Sequence, residues 1–100
     1  MLRDVLTGFI KLHILYHASR EPVFGLDLIQ ELRRHGYELS PGTLYPTLHA
    51  LEEEGYLRHQ DKLVNGRRRK YYTATRQGRA VLAKMRSKVR ELVGEILNET

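Results

Sequence analysis

Apolar residues fall at helical spacing from the start of the chain. Leu2, Val5, Leu6, Phe9, Leu12 and Tyr16 recur every three or four positions, and Ile10 and Ile14 widen the stripe. This pattern predicts a helix over residues 2–16 with more apolar surface than one small core uses. Residues 18–23, with Ser19, Arg20 and Pro22, read as a loop. Leu28, Ile29 and Leu32 mark a second, short amphipathic helix, which Gly36 ends. Ser40-Pro41 opens a third. There serine offers its hydroxyl to the free N–H groups of the first turn, and proline at the first helical position forfeits no bond. Leu44, Leu48 and Leu51 share one face of this helix, while Thr43, Pro46, His49, Ala50 and Glu53 fall mostly elsewhere. It closes at Gly55 after Glu52, Glu53 and Glu54. Any polyanion it touches must therefore be met by its N-terminal half, at the positive end of the helix dipole.

Beyond Gly55 the pattern becomes extended. Two segments, 56–64 and 67–74, flank Asn65-Gly66, a pair that tolerates the positive φ angles of a tight type I′ turn. Arg67, Arg68, Arg69 and Lys70 make the hairpin tip cationic, and Tyr71 and Tyr72 point to opposite faces. Thr75 caps a final helix that runs to about Asn98. Leu82, Met85, Val89, Leu92 and Ile96 form a short heptad seam on it, with Val81, Val93 and Leu97 alongside. Its charges run from basic (Arg76, Arg79, Lys84) to acidic (Glu91, Glu95, Glu99). That order opposes the helix dipole, so helix stability did not place them. The expected fold is mainly α with a small β-hairpin. Helix, helix, capped helix and basic hairpin is the order of a winged helix-turn-helix, here over residues 1–75 with a dimerisation helix over 76–100.

Charge sharpens this picture. Residues 1–57 carry a net charge of −3, residues 58–90 one of +11 with Asp61 the single acid, and residues 91–100 one of −3. The central segment is a concentrated positive field suited to a polyanion. The chain of 100 residues has no cysteine, which excludes disulfides, thiolate metal sites and thiol nucleophiles. The longest apolar stretch is interrupted by Lys11 and His13, far short of the roughly 20 residues that span a bilayer. No small-residue cleavage site follows the N-terminus, so a cytoplasmic protein is expected. Ser19, Ser40 and Ser87 lie in no nucleophile motif, and no glycine-rich phosphate loop occurs. The chain does not read as an enzyme, and no cofactor is expected.

Gly42-Thr43-Leu44-Tyr45-Pro46, then Leu48, Leu51-Glu52, Gly55 and Leu57, resemble the PadR-like transcriptional regulators. So do Gly66-Arg67, Lys70-Tyr71-Tyr72, Thr75 and Gly78 downstream, and Phe24-Gly25-Leu26-Asp27-Leu28-Ile29 upstream. The resemblance runs from about Leu2 to Leu97 and implies a cytoplasmic homodimer. Such a regulator is commonly a repressor, dimerises through its first and last helices, and often releases DNA on binding a small-molecule effector. The chain lacks tryptophan, unlike relatives that stack flat aromatic ligands on one at the dimer interface.

The residues themselves agree on a dimer, because the first and last helices have apolar surface to spare. Leu6, Ile10, Leu82, Met85, Val89, Leu92 and Ile96 are the expected interface. Two reading heads then sit about one duplex turn apart, roughly 34 to 36 Å, on a pseudo-palindromic double-stranded DNA operator. Ser40, Thr43, Tyr45 and His49 are the candidates at the major groove, and Arg67, Arg68, Arg69 and Lys70 at the phosphates. Tyr45 either reads a base or packs on the wing with its hydroxyl toward a phosphate. His49 is either a base contact or a plain surface histidine. Strand alternation keeps all four wing cations from facing DNA together. Gly42 is expected to permit close backbone approach, and Pro46 to be a tolerated first-turn residue. A winged-helix module that meets an acidic protein partner is the alternative, and a ligand or metal sensor is a third reading.

His13 and His17 stand one turn apart on the first helix, a spacing that places two imidazoles on one metal. No glutamate of the HExxH kind lies between them and no third ligand is evident, so an interface pair is expected and no metal. Protonation of such a pair would loosen a dimer at low pH.

Overall fold

The computed structural model describes residues 1–98. Glu99, the last acid of the expected charge gradient, lies outside them. The elements are α1 (Leu2–Arg20), α2 (Gly25–Arg34), α3 (Pro41–Glu53), β1 (Leu57–Val64), β2 (Arg67–Ala74) and α4 (Arg76–Leu97).

α1 runs further than its composition predicts. Residues 18–20 are helical, because Ala18 is buried in the core and the polar residues after it find partners within the helix. The Ser19 hydroxyl donates to the Tyr16 carbonyl at 2.7 Å, and the Arg20 guanidinium lies over the Tyr16 ring. The core side is Ile14, Leu15 and Ala18, with Ile10 at its margin. The stripe that predicts the helix faces outward instead: Leu2, Val5, Leu6, Phe9 and Tyr16 are exposed, Phe9 by 42%. α1 thus has two apolar sides, and its own protomer fills one.

α2 and α3 supply the rest of the core through Leu28, Ile29, Leu32, Leu44, Leu48 and Leu51. Both end in a glycine with positive φ, at Gly36 and Gly55. In each case the following residue's N–H reaches back to the carbonyl of the final turn, Tyr37 to Leu32 and Tyr56 to Leu51. At the start of α3 the sequence expectation fails in detail. The Ser40 hydroxyl bonds no backbone N–H and faces the Thr43 hydroxyl at 3.4 Å; the Ser40 carbonyl takes the N–H groups of Thr43 and Leu44. With no N–H on Pro41, this leaves the Gly42 N–H as the one first-turn donor without a partner among the described residues.

The hairpin turns at Asn65 (φ 51°) and Gly66 (φ 76°), pairing Val64 with Arg67 and Leu57 with Ala74. Val23 exchanges two backbone hydrogen bonds with Tyr72, at 2.7 and 3.0 Å, and so adds a single extended residue beside β2. Tyr72 fills the core from the sheet while Tyr71 turns to the opposite face.

The base of α4 is locked. The Thr75 hydroxyl accepts from the Gly78 N–H at 3.0 Å and donates to the Gly55 carbonyl at 2.5 Å, joining the end of α3, the end of β2 and the start of α4. A side chain on Gly78 would collide with the Tyr56 carbonyl, so helix and chain touch directly. Val81 and Leu82 pack partly on the core; from Met85 onward the seam is exposed, reaching 61% at Ile96. The radius of gyration, 14.7 Å, exceeds the about 13 Å usual for this length. α4 accounts for the excess, since its 22 residues span about 33 Å. No helix among the described residues is long and apolar enough to cross a membrane.

Thr75→Val keeps the shape of the side chain and removes both bonds of its hydroxyl. We expect a loss of about 1–2 kcal/mol in denaturant unfolding, with Thr75→Ser close to the parent. Equal loss in both variants would show that the joint does not depend on the hydroxyl.

Candidate nucleic-acid interface

Burial of Leu44, Leu48 and Leu51 fixes the rotation of α3 about its axis. Thr43, Tyr45 and His49 are consequently exposed, as is Ser40 at the helix start. Pro46 lies in the second turn, where the first-turn exemption does not apply. It withdraws the N–H that Gly42's carbonyl would otherwise accept four residues on; in the first turn Pro41 has no N–H and the Thr43 and Leu44 N–H groups bond the Ser40 carbonyl, which leaves the Gly42 N–H as the donor facing outward. Thr47 bonds back to the Thr43 carbonyl at 2.9 Å. Gly42 meets no close neighbour in the protomer, the nearest being the Ser40 hydroxyl 3.7 Å from where a Cβ would stand. Its bareness therefore serves nothing internal.

Tyr45 is partly exposed and also packs on α2, a contact the sequence does not reveal. Its ring and hydroxyl lie directly over Gly25, the first residue of α2, where a Cβ would come within 2.5 to 2.7 Å of them. Gly25 is bare because Tyr45 occupies its side-chain space. The wing closes the other side: Phe24, Gly25, Tyr45 and the run Arg67 to Lys70 line one groove, and no acidic side chain lines it.

The four wing cations divide. Arg69 is half-buried, its guanidinium 4.9 Å from the centre of the Phe24 ring. Burial raises the Asp27 carboxyl above its ordinary range, Arg69's charge opposes that rise, and Glu21 adds to it. Arg69 is thus engaged with the start of α2. Arg67, Arg68 and Lys70 are exposed, with Arg68 and Lys70 on the opposite strand face from Arg67. Lys62, paired with Arg69 across the hairpin, lies over the Tyr71 ring, and Tyr71 in turn packs on Phe24.

A second strut joins α3 to the sheet. Glu52 accepts from the His59 backbone N–H at 3.1 Å and meets His59 Nδ1 at 2.6 Å. The acidic run at the end of α3 is therefore more than a helix terminus, because one of its members anchors β1. Nothing in the local sequence signals this pairing across seven residues, nor the Tyr45–Gly25 contact across twenty.

His13 and His17 do share a face of α1, and the fold adds a third imidazole that the sequence does not reveal: His35, at the end of α2, stacks on His13 with ring centres 4.7 Å apart. Burial, then the neighbouring His35 and His17, lower the pKa of His13 below its ordinary value, while Glu31 works in the other direction.

Three helices with a two-stranded hairpin after the third define a winged helix-turn-helix. The model of the transcriptional regulator PadR-like family matches residues 14–84, and the chain belongs to that family of transcriptional regulators. It is 49% identical over 96 residues to the transcriptional regulator Rv3488 of Mycobacterium tuberculosis, covering 96% of this chain and 90% of the relative. Among solved structures it resembles the PadR-like transcriptional regulator BC4206 of Bacillus cereus, with 32% identity, a TM-score of 0.81, and 98% of this chain and 93% of that one covered. The PadR family regulator of Eggerthella lenta matches at 30% identity and a TM-score of 0.81, over all of this chain and 91% of its own.

Gly25→Ala drives a methyl into the Tyr45 ring. The ring end it meets is partly exposed and can swing aside, so the cost is about 1 kcal/mol, at the low end for overpacking. In a double-mutant cycle on thermal or urea unfolding, Tyr45→Ala should relieve most of that cost, with a coupling on the order of 1 kcal/mol. Additive effects would mean that the two positions do not touch.

Proposed function

We propose that this regulator is a homodimer that binds a pseudo-palindromic DNA operator, α3 entering the major groove and the hairpin lying along the phosphate backbone. The observation that carries the reading is the groove between Tyr45 and Arg67 to Lys70, free of acids in its lining and opening beside the exposed, uncapped first turn of α3. The Gly42 N–H at the start of α3 and guanidinium groups on the hairpin both suit phosphate. Thr43 and His49 read base edges, Arg67, Arg68 and Lys70 contact phosphates, and Ser40 orients the first turn. Arg69 and Tyr45 act mainly as struts that hold wing, α2 and α3 in register.

Residues 1–75 form the DNA-binding unit and α4 the dimerisation helix, whose first turns also close the core. Leu6, Met85, Val89, Leu92 and Ile96 supply exposed apolar surface for the second copy, with Ile10 and Leu82 linking that surface to the core. Occupation of the operator blocks the transcription machinery, which makes the protein a repressor. An apolar effector would enter between α1 and α4, where Phe9, Leu12, Tyr16, Met85 and Val89 line a groove.

The test is a salt-titrated binding isotherm on duplex DNA from upstream of the protein's own gene and on a shuffled duplex of equal length. We expect preference for the native duplex and a steep salt slope on both. Arg68→Ala should weaken both about equally and reduce the salt slope by about one unit, whereas His49→Ala or Thr43→Ala should alter sequence preference. Absence of binding to either duplex at low salt, with capture of an acidic protein partner, would replace this reading.

A further inference from the structure

Three of the chain's five histidines meet where the second half of α1 packs against the end of α2. His13, His17 and His35 each offer a ring nitrogen, and the three atoms lie within 4.8 Å of one another. His13 and His17 come from successive turns of α1, and His35 is the C-cap of α2. Glu31 points into the same place from one turn before His35: its Oε1 is 3.4 Å from His35 Nε2 and 3.8 Å from His17 Nε2. Its other oxygen is held by Arg34 at 3.1 Å, which orients the carboxylate.

The cluster does not satisfy itself as a hydrogen-bonded network. His17 Nε2 is buried and has no hydrogen-bond partner among the described residues, because the Glu31 oxygen stands too far off. His13 meets two other imidazoles, with its ring centre 4.7 Å from that of His35 and 6.3 Å from that of His17. Tyr37 flanks His13 edge-on, and Arg86 of α4 lines the groove on the open side, adding a further positive charge. Three imidazoles whose ring nitrogens lie together and one oriented carboxylate are a donor set for divalent first-row metals such as zinc, cobalt or nickel. Metal–nitrogen bonds of about 2.0–2.1 Å put tetrahedral donors roughly 3.3 Å apart. The contraction required is on the order of 1–2 Å, within reach of side-chain rotation about Cα–Cβ.

We propose that His13, His17, His35 and Glu31 form a binding site for one divalent transition-metal ion per protomer. The ion clamps α2, on whose first residue Tyr45 rests, to α1, whose outer apolar side adjoins the site at Phe9 and Tyr16. Any influence on DNA rests on the function proposed above; the site itself does not.

The test uses the full chain, stripped of metal by chelator and dialysis and titrated with cobalt(II) alone. The expected result is a visible d–d absorption band that saturates at one ion per protomer and is abolished by excess zinc. His17→Ala and His35→Ala should each weaken cobalt binding by about 100-fold or more, while Glu31→Gln should weaken it about 10- to 100-fold. His59→Gln, remote from the cluster, should leave the titration unchanged. Because His35 is exposed at a helix end, its variant should fold like the parent, which circular dichroism would verify. No saturable band in the parent would overturn the proposal, and so would an unchanged titration in folded His35→Ala. The readout needs no DNA, so failure of the operator test would leave this result standing, and the reverse holds as well.

Discussion

Leu44, Leu48 and Leu51 have almost no exposed surface, and the presentation of the whole interface depends on that burial. A helix of 13 residues can be turned about its axis by its neighbours, and one rotation alone buries these three leucines against α2 and β1. Burying such side chains is worth about 1.5–3 kcal/mol each, so no other rotation competes. Thr43 and His49 then face outward without any polar interaction having to hold them there. The struts around α3 set finer quantities: Tyr45 on Gly25 sets its distance from α2, and Glu52 on His59 sets its angle to the sheet.

The wing is placed in the same indirect way. Arg69 spends its charge on Phe24 and the neighbourhood of Asp27, and Lys62 lies over Tyr71. These contacts hold the base of the cationic run against the start of α2. Arg67, Arg68 and Lys70 remain exposed because the anchoring is done by others. A tip with every cation free would bind phosphate from many positions; one with a tethered member offers its charges in a narrower range of positions relative to α3.

The element order was legible in the sequence, since each element leaves a local trace: leucine spacing in α3, Asn65-Gly66 at the hairpin, Thr75 ahead of α4. Three kinds of feature were not. Periodicity reports that a face is apolar but not what fills it, which is why the leading stripe of α1 turns outward while Ile14, Leu15 and Ala18 take the core. Side-chain capping depends on rotamer, so Ser40 marks the start of α3 without bonding its backbone. Contacts between separate elements leave no local trace at all: Tyr45 explains Gly25, Glu52 explains His59, and His35 joins a histidine pair that looks incomplete in the sequence of α1 alone.

The outward stripe of α1 and the outer half of α4 are the same problem seen twice. Beyond Leu82 the final helix continues for about four turns with no core of its own. An isolated helix of that length is marginal in water, and its exposed Met85, Val89, Leu92 and Ile96 would be a liability on a monomer. The second copy proposed above would resolve both, covering α4 with surface that α1 already displays. The spacing of the two recognition helices would then be a property of the dimer, set by how α1 and α4 meet across the symmetry axis. A group that ties α2 to α1, as the proposed ion does, would join the helix that carries the outward stripe to the helix on whose first residue Tyr45 rests, and so couple the proposed dimer surface to the position of α3.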